Sequence, residues 1–261
     1  MKKLLKTLET KANLHKITVQ RMFEIFVEMQ YLYIIAGVSE SKYYAYTQAV
    51  SEITTSYLNE VKRKPFSDVL GETMAHINVL KNGKRDKHCQ HFTPTRISDV
   101  VSEMMDTKPD QLEKTYLCDI ACGSGALALS KLKDFKKKGQ TKEVSIVLND
   151  LDLFICKVAT IQLEYNNFLH INYPISYVIY NHCALLGYEN FALNGLTEKT
   201  KIIGCDTPAL ISDDLVQRAL GSPQRIESAL KMRSLQSVMA FNHYLSNSDV
   251  ANDVVELQEA V

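Results

Sequence analysis

The chain has 261 residues, 46% of them hydrophobic, and its 30 Lys and Arg residues balance its 30 Asp and Glu residues. That size allows one sizeable domain with a smaller appendage, and the balance excludes a global field drawing the chain to nucleic acid. Six cysteines (89, 118, 122, 156, 183, 205) form no CxxC pair and no zinc spacing, so no metal site is expected, and this usage fits a reducing, cytoplasmic compartment.

Taken in chain order, the N-terminus Met1-Lys2-Lys3-Leu4-Leu5-Lys6 is charged with no long apolar stretch behind it, so no signal peptide is expected. Residues 10–80 read as helical. Val19, Met22, Phe23, Ile25, Phe26, Met29 and Leu32 recur at helical spacing. Tyr31 to Val38 is the most apolar stretch and is too short for a membrane span. Gly37 to Ser41 interrupts the pattern, and a second helix is expected over Tyr43 to Val61. Pro65-Phe66-Ser67-Asp68 opens a third, Val69 to Leu80, followed by a polar basic loop, Lys81 to Cys89, and a helix over Thr95 to Met105.

From 115 the character changes. Tyr116–Ala121, Val144–Asn149, Ile175–Asn181 and Lys201–Cys205 are short apolar runs rich in β-branched residues, and helical stretches (Ala126–Phe135, Phe154–Tyr165) separate the first three. Strands alternating with helices imply an α/β fold with a parallel sheet and right-handed crossovers. After 210 only helical pattern remains, at Leu215–Leu220, Arg225–Met232 and Ser237–Leu245. The expected organisation is a helical N-terminal domain (1–88), a cofactor-binding domain (89–210) and a helical C-terminal segment (211–261).

Basic residues cluster at Lys62-Arg63-Lys64, at Lys81, Lys84, Arg85 and Lys87, and at Lys131, Lys133, Lys136-Lys137-Lys138 and Lys142. The ordinary reading of each is a solvated face; three of them near one site are also what DNA contact requires. Beyond Arg233 there is no Lys or Arg, while Asp249, Asp253, Glu256 and Glu259 are acidic.

Three segments carry chemistry. The first is Cys118-Asp119-Ile120-Ala121-Cys122-Gly123-Ser124-Gly125-Ala126, which reads as strand, glycine turn and helix start. Glycines there let a ligand approach the backbone, and the helix N-terminus offers N–H donors, so a nucleotide-like cofactor is expected. The second is Asn149-Asp150-Leu151-Asp152 at the end of the next strand. Asp150 is placed to accept ribose hydroxyls, Leu151 to pack on an adenine face, and Asp152 to cap the following helix. Asp150 lies farther from Asp119 than the usual spacing of about 20 residues; the excess falls in the lysine-rich loop 136–142. The third is Gln90-His91-Phe92-Thr93-Pro94, where Phe92 is a candidate aromatic wall and Pro94 stiffens a helix start.

Asp68-Val69-Leu70-Gly71-Glu72, a basic loop, Gln90-x-Phe92-Thr93-Pro94, Asp119-x-Ala121-Cys122-Gly123-Ser124-Gly125 and Asn149-Asp150-x-Asp152 occur in this order. Together they resemble the methyltransferase (modification) subunit of type I restriction-modification systems, within the S-adenosylmethionine-dependent adenine-N6 DNA methyltransferases. The similarity covers roughly 65–185, and the helical N-terminal segment resembles that family's N-terminal domain. The resemblance implies a Rossmann-like methyltransferase sheet that binds S-adenosyl-L-methionine and acts on an adenine of double-stranded DNA, with a separate specificity or partner subunit. It implies that Phe92, Thr93 and Pro94 line the methionine end, that Asp119, Ala121, Gly123 and Gly125 cradle the cofactor, and that Asp150 holds the ribose. Where the family has an acid after the third strand, this chain has Asn181-His182-Cys183-Ala184-Leu185.

The family's target site departs further. N6 methylation needs a polar acceptor for the amine protons and an aromatic face for the flipped base, supplied in the family by Asn/Asp-Pro-Pro-Tyr/Phe after the fourth strand. The six prolines here (65, 94, 109, 174, 208, 223) include no adjacent pair. The nearest counterpart is Asp206-Thr207-Pro208-Ala209, with Asp206 and Pro208 as candidate catalytic residues and Ala209 in the aromatic position. Loss of base stacking removes about 1–3 kcal/mol of target binding. Two functions are therefore expected: an adenine-N6 DNA methyltransferase-like protein, or a catalytically inactive relative that keeps the cofactor fold as a binding, decoy or regulatory protein.

Overall fold

The structure, a computed structural model, describes residues 1–36, 41–77, 93–105, 115–184 and 201–205. Five helices come first: α1 (Lys2–Leu14), α2 (Val19–Ala36), α3 (Thr47–Arg63), α4 (Val69–His76) and α5 (Thr95–Met104). The expected helix from Tyr43 begins instead as a 3₁₀ turn, Ser41–Tyr46, before α3. α1 starts nearer the N-terminus than the reading from residue 10, because Leu4, Leu8 and Ala12, four apart, form a stripe buried in the helical core. α4 starts where Asp68 predicts it: the carboxylate accepts the Gly71 N–H at 2.9 Å.

The second half alternates as expected: β1 (Thr115–Asp119), α6 (Ala126–Lys137), β2 (Val144–Asp150), α7 (Leu153–His170), β3 (Ile175–Asn181) and β4 (Lys201–Cys205). β1, β2 and β3 are parallel neighbours in that order, with Asp119 opposite Leu148 and Asp150 opposite Asn181. Right-handed crossovers that step in one direction lay their helices on one face of a sheet. Accordingly Leu117, Ile146, Leu148, Tyr177 and Ile179 share a core with Leu129, Leu132 and Phe135 of α6 and with Cys156, Ala159 and Leu163 of α7.

α7 serves two cores. Its Phe154, Ile155, Val158 and Ile161 join Met22, Phe23, Phe26, Ile53, Tyr57 and Leu70 of the N-terminal helices. The helical region therefore packs directly on the α/β unit rather than trailing from it.

β4 differs from the parallel sheet read from the sequence. It pairs antiparallel with β3, Lys201 opposite Asn181 and Cys205 opposite Val178, with a bulge between. An antiparallel neighbour needs no crossover helix, and helical pattern separates only the first three strand runs. The helical patterns expected after 210 and the basic loop Lys81–Cys89 lie outside the described residues. Among the described residues no helix is long and apolar enough to cross a membrane.

Candidate cofactor-binding site

The site forms where β1 and β2 end. β1 delivers Asp119 to the sheet edge, and the chain turns through Ile120–Gly125 into α6. Gly125 caps α6 at φ +90° and Gly123 sits at φ +54°, a region that L side chains rarely adopt. The turn is tied at several points: Ala121 N–H donates to Asp119 Oδ1 at 3.1 Å, Gly125 N–H to the Cys122 carbonyl at 2.9 Å, and Cys122 N–H to the Asn149 carbonyl at 2.9 Å. A methyl group placed on Gly123 would meet nothing within 4 Å, so that side of the turn is open to a ligand.

Asp119 is the telling group. Its Oδ1 is used by Ala121, while its Oδ2 is buried with no hydrogen-bond partner among the described residues. Burial, reinforced by the Asp150 charge, lifts its carboxyl above the ordinary aspartate range against the Ala121 hydrogen bond. A buried carboxylate oxygen without a donor costs free energy unless something supplies one.

Asp150 stands across the turn from Asp119. Its Oδ2 accepts the Gly123 N–H and its Oδ1 the Asp152 N–H, both at 2.9 Å. Each carboxylate oxygen has a second lone pair, so Asp150 can hold the loop and still accept ribose hydroxyls. Leu151 is exposed beside it, 53% accessible, as a face for a flat ring requires. Asp152 caps α7, accepting from Phe154 N–H at 2.8 Å. Of the third segment, Thr93 is half-buried and Pro94 exposed at the N-cap of α5; Phe92 lies outside the described residues.

Sequence reading missed Asn149. Its side-chain amide donates to the Ile120 carbonyl at 3.0 Å and the His182 carbonyl at 3.1 Å, joining the loops after β1 and β3. The signal available in the sequence was an Asn directly before the acid, closing the apolar run Ile146-Val147-Leu148.

The glycine turn, Asn149–Asp152 and Thr93–Pro94 fall within one stretch of the chain. Residues 66–175 match the N-6 DNA Methylase family. The matched segment contains Asp68–Glu72, Phe92–Pro94, the glycine turn and Asp150–Asp152. It ends before Asp206 and Pro208, which also lie outside the described residues. Among solved structures, a protein described as a class I S-adenosylmethionine-dependent methyltransferase from Listeria monocytogenes is similar at 16% identity and a TM-score of 0.42, over 68% of this chain. The chain spans about half of that protein, 52% of its length. No curated protein matches the chain.

Charge on the described part of the matched segment is largely consumed internally. Lys131 is buried and its ammonium donates to the carbonyls of Ser102 (3.1 Å) and Met105 (2.6 Å) and to Asp134 (2.9 Å), closing the end of α5. Lys133 pairs with Asp99 at 2.7 Å, Lys137 with Glu103 at 3.9 Å, Lys138 with Asp134 at 3.0 Å, and Lys136 donates to the His170 carbonyl. The lysines of α6 thus knit α6 to α5 and α7. Arg63, in the first basic cluster, pairs with Glu60 at 2.5 Å. The cluster at Lys81–Lys87 lies outside the described residues.

Proposed function

We propose that the chain binds S-adenosyl-L-methionine at the turn Asp119–Gly125 and is an S-adenosylmethionine-dependent DNA adenine-N6 methyltransferase-like protein of a restriction-modification type system. The observation that carries the reading is Asp119 Oδ2, buried and unpartnered beside a glycine whose outer side is open. The donor set fits the cofactor. Asp119 offers a carboxylate to a cationic ligand, the Gly123 side of the turn admits it, Asp150 accepts ribose hydroxyls, and Leu151 lies under the base. Thr93 and Pro94 line the methionine end, with Phe92. When bound, the cofactor supplies an electrophilic methyl group on a sulfonium centre. In this reading double-stranded DNA is the substrate, and a separate specificity or partner subunit supplies sequence recognition. Asp206 and Pro208 are the catalytic residues of this reading, Asp206 accepting a hydrogen bond from the target amine. The compartment is the cytoplasm.

One observation favours the second function, a catalytically inactive binding or regulatory relative. The sheet's site end is the end of β1, β2 and β3 that carries Asp119, Asp150 and Asn181. β4 begins at that end, beside Asn181, and by Cys205 has run back to the level of Val178. β4 therefore runs antiparallel to the strands that build the turn and away from that end, by roughly 3.3 Å per residue.

Two measurements test these readings. Calorimetric titration of the full chain with S-adenosyl-L-methionine is expected to show binding that Asp119→Ala abolishes. Transfer of labelled methyl groups to double-stranded DNA, with and without partner subunits, separates enzyme from inactive relative. Absence of cofactor binding would remove both.

A further inference from the structure

We infer that α4 is a brace for the cofactor cleft, holding its two walls at once through Asp68 and Glu72; the inference rests on the reading of the Asp119–Gly125 turn as the cofactor site. Asp68 is 2% exposed and accepts three hydrogen bonds: from Ser124 Oγ at 2.6 Å, Gln162 Nε2 at 2.7 Å and Gly71 N at 2.9 Å. Ser124 lies between the two positive-φ glycines of the turn. It is gripped twice, because Gln162 Nε2 also donates to its carbonyl at 2.8 Å. Gln162, fully buried on α7, completes the set by accepting the Leu70 N–H at 3.0 Å.

Capping α4 does not explain this arrangement. A cap needs one acceptor, and Ser, Thr or Asn supplies it without burying a charge. Asp68 uses its second oxygen on Ser124, across 56 positions of chain. Burial raises its carboxyl above the ordinary range even though Ser124, Gln162 and Gly71 all favour the ionised form, so the contact is maintained against desolvation.

The second arm leaves from the first turn of α4, at Glu72. Its Oε1 accepts the Thr95 hydroxyl at 3.0 Å. Thr95 is the first residue of α5 and follows Thr93-Pro94 directly. One short helix, seated in the core by Val69, Leu70 and Met74, thereby ties the glycine turn to the segment expected at the cofactor's methionine end. Asp68 and Glu72 are positioning residues: they set the separation and rigidity of the walls.

The experiment uses the full chain in two readouts, calorimetric affinity for S-adenosylhomocysteine and amide hydrogen exchange over residues 121–126 without ligand. Ser124→Ala cuts the Asp68 arm and Thr95→Val cuts the Glu72 arm; Asp119→Ala is the pocket control. Ser124→Ala is expected to weaken binding about tenfold, to lower the global unfolding midpoint because Asp68 Oδ2 loses its donor, and to speed exchange of the turn by more than it speeds exchange of β2. Thr95→Val is expected to weaken binding several-fold and leave exchange of the turn unchanged. Parent-like affinity in both variants, with Asp119→Ala still inactive in binding, overturns the brace and leaves the site standing. If the parent chain binds nothing, the site reading fails, and exchange alone decides whether Asp68 holds the loop: parent-like exchange in Ser124→Ala overturns that as well.

Discussion

Replacing Gly71 by alanine sets helix propensity against packing. In an unconstrained helix, Gly→Ala stabilises by about 1 kcal/mol. At position 71 a methyl group would lie 2.5 Å from Asp68 Cγ and overlap both carboxylate oxygens. Asp68 must then rotate away. That gives up the α4 cap, about 1 kcal/mol, and leaves buried Ser124 and Gln162 without their charged acceptor, about 2 kcal/mol or more. The expected result is a net loss of about 2 kcal/mol in urea unfolding, the reverse of the propensity effect. In an Asp68→Gly background, which removes the carboxylate and the Cγ position while glycine remains a tolerated N-cap, the same change is expected to be neutral or stabilising. A stabilised Gly71→Ala single variant, or equal losses in both backgrounds, would refute the packing argument.

Other perturbations follow from the same contacts. Gly125→Ala places a side chain at φ +90° and is expected to cost about 1–3 kcal/mol together with cofactor binding, read by thermal unfolding and calorimetry. Lys131→Met leaves the Ser102 and Met105 carbonyls uncapped and is expected to cost about 2–3 kcal/mol; a variant as stable as the parent in urea would contradict the role given to this ammonium. Burial pushes Asp134 up, but hydrogen bonds and charge from Lys131 and Lys138 outweigh it and hold its carboxyl below the ordinary range. The stability it contributes is present above the ordinary aspartate value and lost as pH falls through the lowered one, so Lys131→Met should also flatten the acid limb of the unfolding midpoint. Asp119 has the opposite sign. Its raised carboxyl favours the folded state as pH falls toward the ordinary value, whereas a cationic cofactor favours the ionised form. Affinity should therefore rise with pH through the raised value and binding should release a proton, measurable by calorimetry in two buffers of different ionisation enthalpy; a pH-independent affinity that persists in Asp119→Asn would sink the assignment.

Local chemistry was readable and tertiary bookkeeping was not. The β-branched runs give β1, β2 and β3, the glycine turn gives the start of α6, and Asp68 and Asp152 cap the helices they precede, because each depends on neighbours in sequence. The direction of β4 depends on which partner it finds, and no period within five residues encodes that. The lysines of α6 read as a possible DNA face because their partners lie on α5. The spacing was nevertheless visible: Asp99 and Glu103 are four apart, as are Lys133 and Lys137, which is the signature of two facing helices. Asp68 and Gln162 are polar residues in apolar runs whose partners lie 56 and 94 positions away; only folding brings them together.

The direction of β4 bears on what the cofactor turn is for. In a parallel sheet every strand delivers its following loop to the same end, which is how Asp119 and Asp150 come to face one another across the turn. β4 itself runs toward the other end, since Cys205 pairs with Val178 rather than with Asn181. The cofactor half, by contrast, is fastened from three directions: by Asp150 from β2, by Gln162 from α7 and by Asp68 from α4. The turn owes none of these contacts to the segment after β4, so the proposed cofactor binding and the proposed catalysis are separable. Asp206→Ala therefore separates the two functions: it abolishes methyl transfer in the enzyme and leaves cofactor affinity untouched in either case.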